Sequence, residues 1–442
     1  MAKLQAISAL SLLLIGSVLE GTLAQCITDN DAAGAIAPDT NELMVKGKIS
    51  FALDALKEAA LIESEDNLFF SPHSLYEALT LAYFGARGTT EESLKRALRI
   101  PESLSKRDVW GNYIIEKSFK LMNISTDYEF NTANRLWISD KKKIRECMLD
   151  FFGSELQQMD FKANPEGARN QINEWVSNIT KGHIQDLLAT DAIAEDTDLV
   201  LTNAVYFKGL WAQKFDPASS ARAIFFGSKD SLVTFMNQKG SFSFTVSEDL
   251  GAHVIELPYK GNTISMFVFL PPFVTNKMQR DLTANERNKN RINQLIERMT
   301  NTEKGIEELY GILQRGMLER EVRLSIPKFS IEKELPVTQL FHALGAGEIL
   351  TPGRADLRGF LSSAEDNLHL GDAVHRAKID LTEEGTTASG ATAILSFRSS
   401  RPTEPVTFNA NHPFVYLIYD KQSRSIIFTG IYRTPTSPGA AA

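Results

Sequence analysis

Apolar residues first recur at helical spacing near the start of the chain. Leu43, Ile49, Leu53 and Leu56 share one helical face and predict a helix from about Asn41 to Leu61. Asn67 to Ser74 reads Asn-Leu-Phe-Phe-Ser-Pro-His-Ser, a short apolar strand running into a helix start, which Leu75, Leu79, Leu81 and Ala82 continue. Gly85 to Glu92 ends that helix and caps the next. Asn134-Arg135-Leu136-Trp137-Ile138 reads as a strand, and Ile172 to Val176 lies on a helix that stops at Gly182. Leu199 to Phe207 is rich in β-formers and apolar on both faces, the pattern of a central strand covered on both sides. Val254 to Tyr259 and Ile264 to Pro271 flank Lys260-Gly261-Asn262, which predicts a hairpin. Ile292, Leu295, Ile296 and Met299, then Ile306, Leu309, Tyr310 and Leu313, predict two amphipathic helices. Val322 to Phe329 alternates as one strand, and Gly345-Ala346-Gly347 reads as a helix end. Val415 to Tyr419 and Ile426 to Gly430 predict a second hairpin. Helices gather early, strands come late and mixed, and no internal repeat is present, which indicates an α+β fold.

One stretch fits neither period. Thr386 to Phe397 carries no charge and no proline, and most of its residues are small: Thr386, Thr387, Ala388, Ser389, Gly390, Ala391, Thr392 and Ala393 lead it. Gly385, Gly390 and the serines make it a poor free-standing strand. Every position nevertheless keeps a backbone N–H donor, so the segment can join a sheet. As a strand it would direct Thr386, Ala388, Gly390, Thr392, Ile394 and Ser396 to one face and Thr387, Ser389, Ala391, Ala393, Leu395 and Phe397 to the other. Neither face holds a group that is costly to bury. Taken alone, the composition favours a low-complexity surface loop. Arg398, Ser399, Ser400 and Arg401 follow, and Pro402 and Pro405 close the stretch.

The remaining signals narrow the function classes. Of 442 residues, 43% are hydrophobic and 23% charged, ordinary globular values. A net charge of −8 and a pI near 5.6 argue against nucleic acid as a partner. Lys3, the apolar run from Ala6 to Ile15 and the small-residue site Thr22-Leu23-Ala24 predict a secretory signal cut between Ala24 and Gln25. That run is shorter than the ~20 residues a membrane span needs, and no later stretch is long and apolar enough. Gln25 to Asp39 is small, acidic and weakly patterned, a loose arm. Cys26 and Cys147 are the only cysteines. Outside the cell they either pair and tie the arm to the body, or stay free, or pair between chains. Asn123-Ile124-Ser125 and Asn178-Ile179-Thr180 place glycosylation sequons at Asn123 and Asn178. No Gly-x-Ser-x-Gly elbow, His-Glu-x-x-His motif or phosphate-binding loop occurs, and the seven histidines show no metal spacing. No catalytic centre, metal or cofactor is therefore expected. Lys141, Lys142, Lys143 and Arg145 form the densest basic run, which reads as a solvated turn before a helix, with glycosaminoglycan binding the weaker reading.

Glu383-Glu384-Gly385-Thr386, the small residues after it and the downstream Phe408-Asn409-Ala410-Asn411-His412-Pro413-Phe414 resemble the reactive-centre loop region of the serpins, the serine-protease inhibitor family. Asn67 to Ser74, Asn203 to Trp211, Leu257-Pro258-Tyr259, Pro327-Lys328-Phe329 and Phe428-Thr429-Gly430 match further framework segments of that family, in the same order. The resemblance implies the serpin fold: a large, mostly antiparallel central sheet, further sheets, surrounding helices and an exposed loop at 383–405. It divides the chain into a signal (1–24), a flexible arm (25–40), one domain (41–436) and a disordered tail (437–442). The stretch 273–319 is longer than the family usually carries and is expected to be a tolerated surface insertion. The loop and this insertion resemble arthropod haemolymph members.

The resemblance further implies a secreted, monomeric inhibitor that a serine protease attacks as substrate and that traps the resulting acyl-enzyme. Glu383, Glu384, Gly385, Thr386, Thr387, Ala388, Ser389, Gly390 and Ala391 match the hinge that enters the sheet; Thr387 stands where many inhibitors carry Glu. Ser71, Ser74, Asn203 and His375 match the buried polar network called the shutter, and Trp211 matches the tryptophan under the insertion point. Without the resemblance these would read as a helix cap, a satisfied core histidine and plain core packing. Counting from Gly385 with the commonest loop length puts the cut at Ser399–Ser400. A loop one residue shorter puts it at Arg398–Ser399, the bond a trypsin-like protease would choose. Arg398–Ser399 is the expected reactive bond and Ser399–Ser400 the second choice. In heparin-activated members the basic residues sit on a helix corresponding to about 107–122, where this chain has only Arg107, Lys117 and Lys120. The alternative on the same fold is a non-inhibitory carrier, storage protein or chaperone. The absence of proline, charge and bulk from the hinge argues against it.

Overall fold

A computed structural model describes residues 24–27, 36–122, 127–273, 283–363, 366–385 and 404–435. Its strands in chain order are β1 (Leu68–Phe70), β2 (Tyr128–Ser139), β3 (Leu156–Met159), β4 (Leu199–Gly209), β5 (Ala221–Phe226), β6 (Asp230–Ser247), β7 (Ala252–Pro258), β8 (Ile264–Leu270), β9 (Glu319–Pro327), β10 (Phe329–Leu335), β11 (Asp372–Leu381), β12 (Val406–Asn409), β13 (Phe414–Asp420) and β14 (Ser425–Tyr432). They form a nine-stranded sheet, ordered β1-β14-β13-β8-β7-β6-β9-β12 with β5 on β6, and a five-stranded sheet, ordered β10-β11-β4-β2-β3.

β4 is the middle strand of the five-stranded sheet, as its apolar run predicts. Its side chains alternate between two cores. Val200 and Ala204 pack toward the helix Pro165–Ile179, beside Ile172 and Val176. Val205 and Phe207 face the other way, into an aromatic layer shared with Phe69, Tyr259, Tyr416 and Phe428 from the larger sheet. Burial on both faces is why β4 lacks the polar alternation of an ordinary sheet strand. The helix Thr40–Ile62 and the helix Pro72–Gly85, whose starts and ends match the apolar spacing, fill the adjoining large core.

Three expectations change in detail. The five-stranded sheet is mixed rather than mostly antiparallel: β10–β11 and β2–β4 run antiparallel, while β4–β11 and β2–β3 run parallel. β4 and β11 are joined through residues 210–371, not by a hairpin, so nothing forces opposite directions. The alternating run from Val322 to Phe329 is two strands in two sheets. Pro327 ends β9, Lys328 donates its N–H to Thr234 O at 2.9 Å, and Phe329 opens β10 opposite Leu381. Alternation alone cannot reveal a change of sheet, because both strands share the period. The basic run is also partly engaged. Lys142 reaches Asp198 at 3.2 Å and Asp366 at 3.6 Å, and Arg145 donates to Gly359 O at 3.3 Å, while Lys141 and Lys143 are exposed.

The stretch 273–319 holds the two amphipathic helices, Ala284–Asn301 and Glu303–Arg315. Thr283 and Glu286 make a reciprocal capping box at the first. Ile292, Leu295, Met299, Leu309 and Leu313 are buried in the large core, so these helices belong to the body; residues 274–282 lie outside the described ones. At the other end of the chain, Cys26 and Cys147 form a disulfide with Cα atoms 5.9 Å apart. Of the pairing states left open by the sequence, the tie from arm to body is the one found. It closes a loop with a sequence separation of 121, which in the chain-entropy account stabilises the fold by about 5 kcal/mol.

Candidate functional site

The site is a seam. β4 and β11 lie side by side and parallel, with Asp372 opposite Val200 and Lys378 opposite Tyr206. At the middle of that ladder Asn203 stands directly opposite His375. An asparagine and a histidine in the interior of two buried strands are costly unless fully hydrogen-bonded.

They are fully bonded. Ser71 is the N-cap of the helix Pro72–Gly85, and its Oγ accepts from Ser74 N at 3.1 Å. The Ser71 hydroxyl donates to Ile427 O at 2.6 Å, and its backbone N–H donates to His375 Nε2 at 3.1 Å. Because Nε2 accepts, the proton sits on Nδ1, which donates to Asn203 Oδ1. Asn203 Nδ2 shares its two hydrogens among three acceptors: Ser74 Oγ at 2.7 Å, Ser74 O at 2.8 Å and Asn134 Oδ1 at 2.6 Å. Ser71, Ser74 and His375 are completely buried, and burial pushes the imidazole pKa down to about 3. The four residues singled out from the sequence therefore meet at one point. Asn134 of β2 completes the cluster and was not singled out. Its only trace in the sequence is an asparagine, a poor strand former, opening the strand-like run Asn134–Ile138; that it stands directly across from Asn203 emerges from the β2–β4 ladder.

The hinge sits at the end of the seam where β4 and β11 both terminate. After Leu381 the chain turns tightly. Thr382 N–H donates to Gly385 O at 3.0 Å, and Gly385 N–H donates back to Thr382 O at 3.2 Å. Gly385 has φ +124, and a Cβ there would lie 2.3 Å from Gly209 O and 2.6 Å from Leu210 Cα, so only glycine fits. Trp211, just past β4, stacks on Tyr259 at 4.5 Å and donates from Nε1 to Thr382 O at 3.0 Å. It is core packing and a hinge clamp at once. Trp211 N–H donates to Glu384 O at 3.0 Å, and Phe215 N–H donates to Glu383 O at 2.9 Å. The Glu383 carboxylate takes Ser220 Oγ at 3.0 Å and Lys328 Nζ at 2.8 Å. Burial alone would raise its pKa, but Lys328 and Ser220 outweigh that and hold it below its ordinary value.

Beyond Gly385, the hinge residues Thr386, Thr387, Ala388, Ser389, Gly390 and Ala391 and the bond candidates Arg398, Ser399 and Ser400 lie outside the described residues, as does Asn123. The chain is described again from Glu404 and enters β12, parallel to β9, with Val406 opposite Val322. His412 follows, buried, donating from Nε2 to Pro271 O at 2.6 Å, with its pKa pushed down by burial to about 4. Asn178 is exposed on the helix Pro165–Ile179. Among the described residues there is no His, Cys, Asp and Glu cluster suited to a metal, and no helix long and apolar enough to cross a membrane. Of the helix basic residues, Lys117 pairs with Glu155 at 2.5 Å and Lys120 with Glu77 at 3.7 Å.

Comparison with known proteins gives the same architecture. The family model for serpins, serine protease inhibitors, matches residues 46–435. Serine protease inhibitor 88Ea of Drosophila melanogaster is 36% identical over 410 residues, covering 89% of this chain and 91% of the relative, in line with the expected arthropod-like character. The leukocyte elastase inhibitor of Equus caballus is 33% identical over 397 residues, covering 87% of this chain and 97% of the relative. Human thyroxine-binding globulin superposes over 90% of this chain and 100% of its own with a TM-score of 0.75 at 22% identity, a likeness of fold alone. With a parallel seam bridged by buried polar groups and a glycine turn leaving at its end, the chain belongs to the serpin family.

Proposed function

We propose that this serpin is a secreted, single-use inhibitor of a trypsin-like serine protease, attacked at Arg398–Ser399. The observation that carries the reading is the unfilled seam. β4 and β11 are direct neighbours with no strand between them, and the chain leaving β11 turns back at Gly385, which pairs with Leu210 just past the end of β4. A segment folding back there would run antiparallel to both strands and replace one parallel pairing with two antiparallel ones, the slightly more stable kind. The signal-like residues 1–24 and the Cys26–Cys147 disulfide support secretion.

In this mechanism the protease serine oxygen bonds to the Arg398 carbonyl carbon. The Arg398–Ser399 peptide bond breaks, and its nitrogen takes a proton and becomes the new N-terminus at Ser399. The chain up to Arg398 is left as an ester on the protease. Thr386 to Phe397 is then free to enter the seam, with Ser71, Ser74, Asn134, Asn203 and His375 exchanging partners as β4 and β11 part. Each new hydrogen bond contributes a net ~1 kcal/mol, and the apolar side chains Ile394, Leu395 and Phe397 add burial. At ~3.3 Å per residue, insertion of this segment carries the tethered protease about 40 Å along the sheet. The serpin fold also serves carriers, as the name thyroxine-binding globulin indicates. The uncharged, proline-free stretch from Thr386 to Phe397 favours insertion.

Thr386→Arg would place a charge on a face that must enter the sheet. Its desolvation is expected to slow insertion so that hydrolysis of the ester wins, giving a folded protein that is cleaved as a substrate. Denaturing gels with the target protease check this, and undiminished formation of stable complexes would contradict it. The mass of the C-terminal fragment released from a complex tests the reactive bond. A fragment starting at Ser399 is expected, with Arg398→Ala abolishing inhibition of trypsin-like enzymes; a start at Ser400 would move the specificity to elastase-like enzymes. The buried shutter histidine adds a pH dependence. Below its ordinary value of 6.5 the unfolded chain takes up a proton that His375 refuses until about pH 3. Stability is therefore expected to fall as pH drops through that window, by up to about 1.4 kcal/mol per pH unit from this group. Denaturant unfolding at several pH values should show a shallower acid loss for His375→Gln than for the wild-type chain, and equal losses would rule this contribution out.

A further inference from the structure

One line of hydrogen bonds through the shutter keeps a single direction from end to end. Ser71 N–H donates to His375 Nε2, His375 Nδ1–H to Asn203 Oδ1, Asn203 Nδ2–H to Asn134 Oδ1, and Asn134 Nδ2–H to Glu77 Oε2 at 3.0 Å. One end of this chain is a backbone N–H, which can only donate. The other is a carboxylate, which when ionised can only accept. A chain with those two ends has a single orientation that satisfies every member. Two side-chain amides and one imidazole tautomer, each ambiguous alone, are fixed together.

Glu77 lies outside the seam, one turn along the helix Pro72–Gly85 from Ser74. It is half-buried and held from two further sides. His73 Nε2 is 3.2 Å from Oε1, and Lys120 of the helix Lys106–Met122 is 3.7 Å away. Lys120 is itself seated over the Phe130 ring at 5.3 Å and reaches Thr132 Oγ1 at 3.4 Å, both on β2. Burial pushes the Glu77 carboxyl up, but Lys120 and His73 outweigh it and keep the group ionised.

We propose that Glu77 is a positioning residue for the seam: its carboxylate, held by Lys120 and His73, sets the direction in which Asn134, Asn203 and His375 present their donors and acceptors, and thereby keeps β4 and β11 joined until a cleaved loop arrives. This rests on the insertion reading and deepens it, because it assigns control of the seam to the helices Pro72–Gly85 and Lys106–Met122. If the group at 77 offered a donor instead, Asn134 would have to turn its oxygen outward. Two N–H groups would then face each other further along. If Asn203 turns to relieve that conflict, its NH2 meets His375 Nδ1–H, at the contact that bridges the two strands that must part.

Glu77→Gln tests this with little change of shape. Beside the Lys120 ammonium the new side chain turns its oxygen to the cation and its NH2 to Asn134, reversing the polarity at the end of the chain. Imidazole nitrogen NMR, with the His375 signal assigned by its loss in His375→Gln, should show a single Nδ1–H tautomer in the wild-type chain and a mixture in Glu77→Gln. Spontaneous loss of inhibitory capacity, followed without protease at physiological temperature, should accelerate by about tenfold, since a hydrogen bond to a charged group is lost. Glu77→Asp, which keeps an acceptor-only carboxylate, should stay close to wild type on both counts. Lys120→Gln, a change at the protein surface, should shift both in the same direction by less, and serves if Glu77→Gln does not fold. One tautomer and a wild-type lifetime in whichever of the Glu77→Gln and Lys120→Gln chains is measured would overturn the proposal. The tautomer readout needs no protease, so a wild-type chain that traps none would overturn the insertion reading without deciding the relay.

Discussion

The proposed function depends on one constraint, a parallel pair of buried strands, β4 and β11, bonded directly to each other. β4 and β11 are bonded along their ladder, yet their pairing is the less stable kind, and polar side chains meet across it at Asn203 and His375. A purely apolar seam would have no comparable directional lock, and an unbonded one would carry the penalty of orphaned amides and an orphaned imidazole. The cluster of Ser71, Ser74, Asn134, Asn203 and His375 resolves both demands. It is satisfied while the strands are joined.

The rest of the fold positions this seam. The helix Pro72–Gly85 brings Ser71, Ser74 and Glu77 under it, and its capping serine is also a seam ligand. The helix Pro165–Ile179 covers the other face through Val200, Ala204 and Val176. At the end of the seam, Trp211 and Tyr259 form the platform on which the Thr382–Gly385 turn rests, and Glu383 is secured by Lys328 at the junction between the two sheets. Lys328 is the single residue between β9 and β10, so the hinge anchor sits where the chain changes sheet.

Much of this was legible in the residues. The doubly apolar run at Leu199, the Ser71-Pro72 helix start and the Gly261-Asn262 hairpin each follow from local physics that tertiary structure did not override. The shutter and hinge assignments needed more, since a buried histidine or a capping serine is commonplace alone, and only family resemblance grouped them. What stayed hidden had non-local causes. Parallel pairing of β4 with β11 depends on the long connection through residues 210–371. The division at Lys328 shows in the sequence only as a slip of phase, from Val322, Leu324 and Ile326 to Phe329 and Ile331, and a slip does not reveal a change of sheet. Asn134 and Glu77 became meaningful only when β2 and two helices converged, because hydrogen-bond direction belongs to the assembled network and not to any one segment.

The central claim is that the seam awaits a strand from the chain's own loop. Thermal melting before and after a single cut within 386–403, made by a protease that the protein does not trap, tests it most directly. Cleavage should free a strand for the seam, so the cut protein should melt well above the intact one. Equal melting temperatures would mean that the loop does not enter the sheet, and would contradict the account.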